Sequence, residues 1–180
     1  MAENDDLARI VAGCQAGEAR RFSELVDLYG GRCYGYFYRL TGNAELSDEL
    51  LSELFVKLVE KIGSYKGGAF ESWLFKIASN IFHDYLRGKQ RRKKLLDTRR
   101  GDIRAKVTEP KRSESDRSDR LQVHLAKLDE STRELIMLRF YSQMSLKEIA
   151  KVRSEPIGTT LSRLHRGLKR LREMMGQEGT

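Results

Sequence analysis

An all-α fold in two modules is what three features of this chain predict. Breakers are scarce: among 180 residues there are only two prolines, Pro110 and Pro156, and long stretches carry no breaker. Apolar residues recur every three or four positions, the spacing that gathers side chains on one face of a helix. A charged stretch poor in large apolar residues, 95–119, parts two such periodic regions.

In the first region, residues 1–94, the earliest clear stripe runs from Ala19 to Leu40 through Phe22, Leu25, Val26, Tyr29, Cys33, Phe37 and Leu40. Thr41, Gly42 and Asn43 break the pattern. A second stripe, Leu50, Leu51, Leu54, Phe55 and Leu58, ends near Ile62, and the glycines between Gly63 and Ala69 predict a loop. A third helix resumes at Phe70 with Trp73, Leu74, Ile77, Ala78, Ile81 and Tyr85 inward. None of these helices can cover its own apolar face, so together they make an N-terminal helical bundle.

The third helix turns strongly basic at its far end, with Arg87, Lys89, Arg91, Arg92, Lys93 and Lys94. Positive side chains suit a helix C-terminus, but six of them exceed what one last turn uses, which favours contact with phosphates. The net charge of +8 points the same way, toward a polyanionic partner. Residues 95–119 mix both signs of charge and contain Pro110, so they can add little to a core. They read as a flexible linker, on which two folded modules could be spaced apart when bound and closed together when free.

In residues 120–180, Leu121, Leu125 and Leu128 mark a short helix. Two Ser-x-x-Glu patterns, Ser131 to Glu134 and Ser145 to Glu148, predict capping boxes that open the next two helices. The first of these carries Leu135, Leu138, Arg139 and Phe140; the second is short, with Leu146, Ile149 and Ala150 inward. After a turn at Arg153 to Pro156, a longer helix carries Ile157, Leu161, Leu164, Leu168 and Leu171 as its apolar members. Short helix, tight turn, then a helix rich in Thr, Ser, Arg and His is the form of a helix-turn-helix. Its exposed front would offer Thr159, Thr160, Ser162, Arg163 and Arg166 to phosphates and base edges.

Other classes find little support. Cys14 and Cys33 form no CxxC pair, and His83, His124 and His165 are scattered, so neither a disulfide framework, a metal site nor a cofactor is expected. His83 and Asp84 are the nearest thing to an acid/base pair, but adjacent helix residues point apart and no nucleophile joins them, so an enzyme is not expected. The N-terminus is acidic before it is apolar, the wrong order for a secretory signal, and no apolar run reaches membrane-spanning length. A cytoplasmic protein without membrane insertion is the expectation. The residues alone leave open a stand-alone helix-turn-helix transcriptional regulator and a helical partner-binding protein that touches no DNA.

Several separated motifs, in order, resemble the small extracytoplasmic-function type of bacterial RNA polymerase sigma factor, in the sigma-70 family. FSELVDLYGGRCYGYFYRLTGN with ELSDELLSELFVKLVEKI, then FESWLFKIASNIFHDYLRGKQRR, resemble its region 2; STRELIMLRFYSQMSLKEIAKV and PIGTTLSRLHRGLKRLRE resemble its region 4. The resemblance, from about Arg21 to Leu171, implies a protein that binds core RNA polymerase and directs it to promoter DNA, usually under an anti-sigma factor. It implies core-polymerase binding by Glu49, Leu50, Glu53 and Phe55. It implies downstream-element contact by Ser64, Tyr65, Lys66, Phe70, Asn80, Asp84, Arg87, Arg91 and Arg92, and upstream-element contact by Thr159, Thr160, Ser162, Arg163 and Arg166. The chain departs from the family pattern at Glu49 and Ser52, usually Asp and Gln, at Ser154, where Gly is common, and at Thr160, usually Val.

Overall fold

The computed structural model describes residues 2–99 and 116–176, and among these every regular element is helical. The N-terminal module comprises α1 (Ala2–Gln15), α2 (Ala19–Thr41), α3 (Ala44–Lys61), a single 3-10 turn (Ile62–Ser64) and α4 (Phe70–Arg99). The C-terminal module comprises α5 (Asp116–Ala126), α6 (Glu130–Tyr141), α7 (Leu146–Val152) and α8 (Ile157–Gly176).

Local chemistry places the boundaries. α2 ends where Gly42 takes a positive φ of 65° and returns its N–H to Tyr38 O at 2.8 Å. Asn43 then caps α3, its side chain accepting from Leu46 N at 2.9 Å. The first helix, α1, was not singled out by the sequence reading; Val11 and Cys14 bury against the bundle and Gln15 Nε2 donates to Ile62 O and Tyr65 O. The basic helix α4 continues to Arg99, beyond the start at residue 95 expected for the linker, because nothing in Leu95 to Arg99 breaks it.

Buried residues of both modules form one continuous apolar cluster. Within α2, Leu25, Tyr29, Cys33, Phe37 and Leu40 are buried as the periodicity predicts, while Val26 is exposed. Tyr36 lies off that stripe yet is fully buried, since α2 is covered on a second side by α6. α6 is itself packed between α2 and α8, so four consecutive residues, Leu135 to Leu138, are buried and its amphipathic pattern is lost.

Candidate polymerase and nucleic-acid interfaces

On α3, Leu50, Leu54 and Leu58 fill the core and leave the opposite face to solvent. Glu49, Ser52 and Glu53 lie on that outer face. Val56 and Val59 join them, 57% and 56% exposed, two apolar side chains interleaved with acids where solvation alone would favour polar ones. The structure corrects one expected polymerase contact, since Leu50 is core, while Phe55 is half-buried and keeps part of its ring at the surface. Val56 and Val59 were not among the expected contacts, and their helical offset from Leu50 and Leu54 places them outward.

The loop before α4 is held from beneath. Tyr65 packs its ring on Phe70 and Trp73, with centroids 5.4 and 5.3 Å apart, and donates its hydroxyl to Gly68 O at 2.6 Å. Gly67 and Gly68 take positive φ, which is why glycines stand there. Ser64 and Lys66 are exposed, whereas Phe70 is 2% exposed, with the Tyr29 ring tilted against it at 5.4 Å on another side. Phe70 accordingly supports the loop and has no free face for a base, a correction to the expected set. Trp73 is half-buried in the same cluster.

Further along α4, Asn80, Asp84, Arg87 and Arg91 recur at helical spacing and are all exposed, so they form one stripe with Arg92 beside it. Arg87 pairs with Asp84. Asn80 lies about 15 Å along the helix from Phe70, so loop and stripe are successive stations on one rigid rod.

In the C-terminal module, Ser145 accepts from Glu148 N at 3.3 Å while the Glu148 carboxylate accepts from Ser145 N at 2.8 Å, completing the expected capping box of α7. The other predicted box does not form. Asp129 caps α6 instead, accepting from Thr132 N at 2.9 Å, and Glu134 turns inward. The turn after α7 is a Schellman arrangement: Glu155 N donates to Ala150 O at 3.0 Å and Ser154 N to Lys151 O at 3.2 Å, with Ser154 at φ 53°.

That turn sets the rotation of α8. The Glu155 carboxylate accepts from Arg153 Nε at 3.1 Å, Thr160 Oγ1 at 3.0 Å and an Arg163 guanidinium nitrogen at 2.6 Å. The second anchor is Gly167, whose Cα meets α6 so closely that an added Cβ would lie 2.5 Å from Thr132 Cγ2. Thr160, Leu164 and Gly167 therefore face inward, while Ile157 and Leu161, expected inside, are 46% and 53% exposed. Thr160 is fully buried and its hydroxyl is spent on Glu155, so it has no surface for DNA, a correction to the expected set. Thr159, Ser162 and Arg166 stand on the exposed front; Arg163 lies at the flank, half-buried and also donating to Ser131 Oγ at 3.2 Å.

The most buried charge in this region belongs to Glu134, a residue the sequence reading assigned only to a cap. Its side chain is 2% exposed. Its carboxylate accepts from Ser79 Oγ at 2.6 Å and His83 Nε2 at 3.0 Å, both on α4, and from Arg153 at 2.6 Å within its own module. Burial pushes the Glu134 carboxyl up, but the hydrogen bonds from His83 and Ser79 and the charges of His83 and Arg153 outweigh it and hold the carboxyl below the ordinary glutamate range. The Glu134 hydrogen bond in turn raises His83, against its partial burial. Burial also pushes the Glu155 carboxyl up, and there too the Thr160 hydroxyl and the two arginines win and lower it.

Comparison with known proteins matches both modules. The family description Sigma-70 region 2 covers residues 25–92, and Sigma-70, region 4 covers 124–173. The ECF RNA polymerase sigma factor SigW of Bacillus subtilis is 29% identical over 88% of this chain and 91% of its own length. The RNA polymerase sigma-H factor of Pseudomonas aeruginosa is 29% identical over 92% of each chain. Among solved structures, the fold resembles the sigma factor RpoE in complex with the anti-sigma factor NepR from Bartonella quintana, with a TM-score of 0.70 at 24% identity over 88% of this chain and 98% of that one. It also resembles CnrH in complex with the cytosolic domain of CnrY, with a TM-score of 0.69 at 20% identity over 94% and 97%. That last complex holds the cytosolic domain of CnrY, a part of a larger partner, so the plain expectation of a cytoplasmic protein is not retained. Among the described residues no helix is long and apolar enough to cross a membrane. With region 2 and region 4 in one chain and in this order, the protein belongs to the sigma-70 family, as an RNA polymerase sigma factor of the extracytoplasmic-function type, and is not an enzyme.

Proposed function

We propose that this chain directs core RNA polymerase to promoters by dividing the work between its modules. The outer face of α3, with Glu49, Glu53, Val56 and Val59, docks on core polymerase, apolar side chains supplying contact area and the acids selecting a basic partner surface. The loop from Ser64 to Gly68 and the α4 stripe of Asn80, Asp84, Arg87, Arg91 and Arg92 engage the downstream element. Strand opening follows if an unpaired base is held there better than a stacked one, repaying an unstacking cost of a few kcal/mol. Thr159, Ser162 and Arg166 on α8 engage the upstream duplex, phosphate contacts fixing register and base contacts choosing sequence. The polymerase performs the chemistry of nucleotide addition.

An anti-sigma factor is the further partner we infer, from the two solved complexes of this fold. The single observation that carries the reading is the presence of both regions, in order, in one chain. Transcription in vitro with purified core polymerase and a library of promoter fragments tests it. Specific initiation dependent on this protein is the expected result; association with DNA but never with core polymerase would make it a stand-alone regulator.

A further inference from the structure

The first helix, α1, precedes the residues matched to region 2, which begin at 25. Its packing is nonetheless specific. Val11 and Cys14 are buried against the bundle, and α1 ends in a Schellman arrangement in which Glu18 N donates to Gly13 O and Gly17 N to Cys14 O, each at 3.0 Å. That ending fixes the last turn, from which the Gln15 amide reaches the chain leaving α3. Its Nε2 donates to Ile62 O at 3.0 Å and to Tyr65 O at 2.8 Å. These carbonyls belong to the 3-10 turn and to the residue after it, at the foot of the loop from Ser64 to Gly68.

Packing does not steady the tip of that loop. A cleft of about 460 Å³ separates Leu7, Ala8 and Val11 of α1 from Gly67, Gly68 and Ala69, and a Cβ added at either glycine would meet nothing within 4 Å. Adjacent glycines also lose the most conformational freedom when a chain is ordered. Hydrogen bonds hold the loop instead. Gln15 fixes its start, the Tyr65 hydroxyl bonds across it to Gly68 O at 2.6 Å, and Trp73 N donates to Ala69 O at 3.2 Å at its end. Of these, the Gln15 bonds come from outside the loop and the helices it joins. They act on Tyr65, whose carbonyl Gln15 holds, whose ring rests on Phe70 and Trp73, and whose hydroxyl sets the position of Gly68.

We propose, resting on the sigma-factor reading, that Gln15 is a positioning residue for downstream-element selection: by holding Ile62 O and Tyr65 O it fixes the loop from Ser64 to Gly68 in the shape that meets the opened strand. A loop ordered in advance binds without a further loss of conformational entropy. A fixed shape also rejects a mismatched base that a slack loop would accommodate, so the gain is in discrimination. Gln15 acts through the loop backbone, and α1 thereby becomes part of the promoter-reading apparatus.

The test uses the full-length chain with core polymerase and single-stranded oligonucleotides carrying the downstream element of a promoter that the parent protein reads, together with its single-base variants. Gln15→Met keeps the length of the side chain and removes the donor, and Gln15→Lys restores a donor. Gln15 is exposed, so neither substitution opens a cavity. In Gln15→Met the ratio of affinities between matched and mismatched oligonucleotides is expected to fall by about threefold to tenfold. Amide exchange across residues 63–69 is expected to quicken, while affinities for core polymerase and upstream duplex stay within about twofold of the parent. Gln15→Lys is expected to recover the ratio. Unchanged discrimination in Gln15→Met overturns the proposal, and so does a Gln15→Lys variant no better than Gln15→Met. Equal losses in downstream, upstream and core binding overturn it too, since they would make Gln15 a tie for the fold alone. A parent protein that discriminates among no downstream sequences with core polymerase would instead overturn the sigma-factor reading, so the two failures are distinguishable.

Discussion

His83 Nε2 lies 3.0 Å from Glu134 Oε2, a hydrogen bond that spans 51 residues and joins α4 to α6. Because the carboxylate can only accept, the imidazole donates. The neighbouring charged and polar groups are Arg153, Arg87, Ser79 and Tyr36.

The pH dependence of stability follows from that pair. His83 is raised above its ordinary 6.5, so its contribution is complete below that value and fades as pH rises through the raised one. Glu134 is lowered from 4.5, so its contribution is complete above that value and fades as pH falls through the lowered one. The advantage of the parent protein over His83→Gln in thermal melting should be largest near about pH 5–6 and should shrink toward about pH 8–9. A difference in melting temperature that stays constant across this range would show that the pair does not titrate as described. Glu134→Ala should cost about 3–5 kcal/mol, because it strands Arg153, 7% exposed, without its carboxylate.

Ser154 carries a positive φ at the position of α7's end where glycine is easiest. Ser154→Gly should stabilise the protein by about 1 kcal/mol, a rise of about 2–4 °C in Tm for a chain of this size. Calorimetry showing no gain would mean that the turn already compensates the serine.

On α3, the outer and inner faces should separate by assay. Val56→Glu or Val59→Glu should leave stability within about 0.5 kcal/mol and abolish co-purification with core polymerase. Leu50→Ala should cost about 2–5 kcal/mol, since Leu50 is 4% exposed in the core. Retained polymerase binding in both valine variants would move the docking surface elsewhere.

Two arginines of α8 should also behave differently. Arg166→Ala should keep the fold and weaken promoter binding, lowering the slope of log affinity against log salt by about 1 if the contact is to phosphate. Arg163→Ala should instead lower the melting temperature, because its guanidinium is held by Glu155 and Ser131. Equal stability with a sequence-dependent loss of binding in Arg163→Ala would return that residue to the DNA surface.

Much of the fold was legible before any coordinates. The breaks at Gly42 and Gly63, the capping box at Ser145 and the glycine-like role of Ser154 each depend on a few neighbouring residues, so local chemistry specifies them. The errors share another cause. Leu50, Phe70 and Thr160 were offered to partners by motif position, yet each lies buried. Conversely, Val56 and Val59 lie off the apolar stripe of α3 and stand outward.

Periodicity, charge and turn residues were enough to establish an all-helical chain with a basic α4 and a helix-turn-helix, because helices, caps and turns depend on contacts between residues near one another in the chain. Tertiary packing alone decided that Tyr36 is buried, that Glu134 leaves its expected cap, and that α8 turns Thr160 inward in place of Leu161. Those outcomes depend on which helix comes to lie against α2 and α6. A buried carboxylate settles where the fold brings it hydrogen-bond donors, and for Glu134 those donors come from Ser79 and His83, on the other side of the linker.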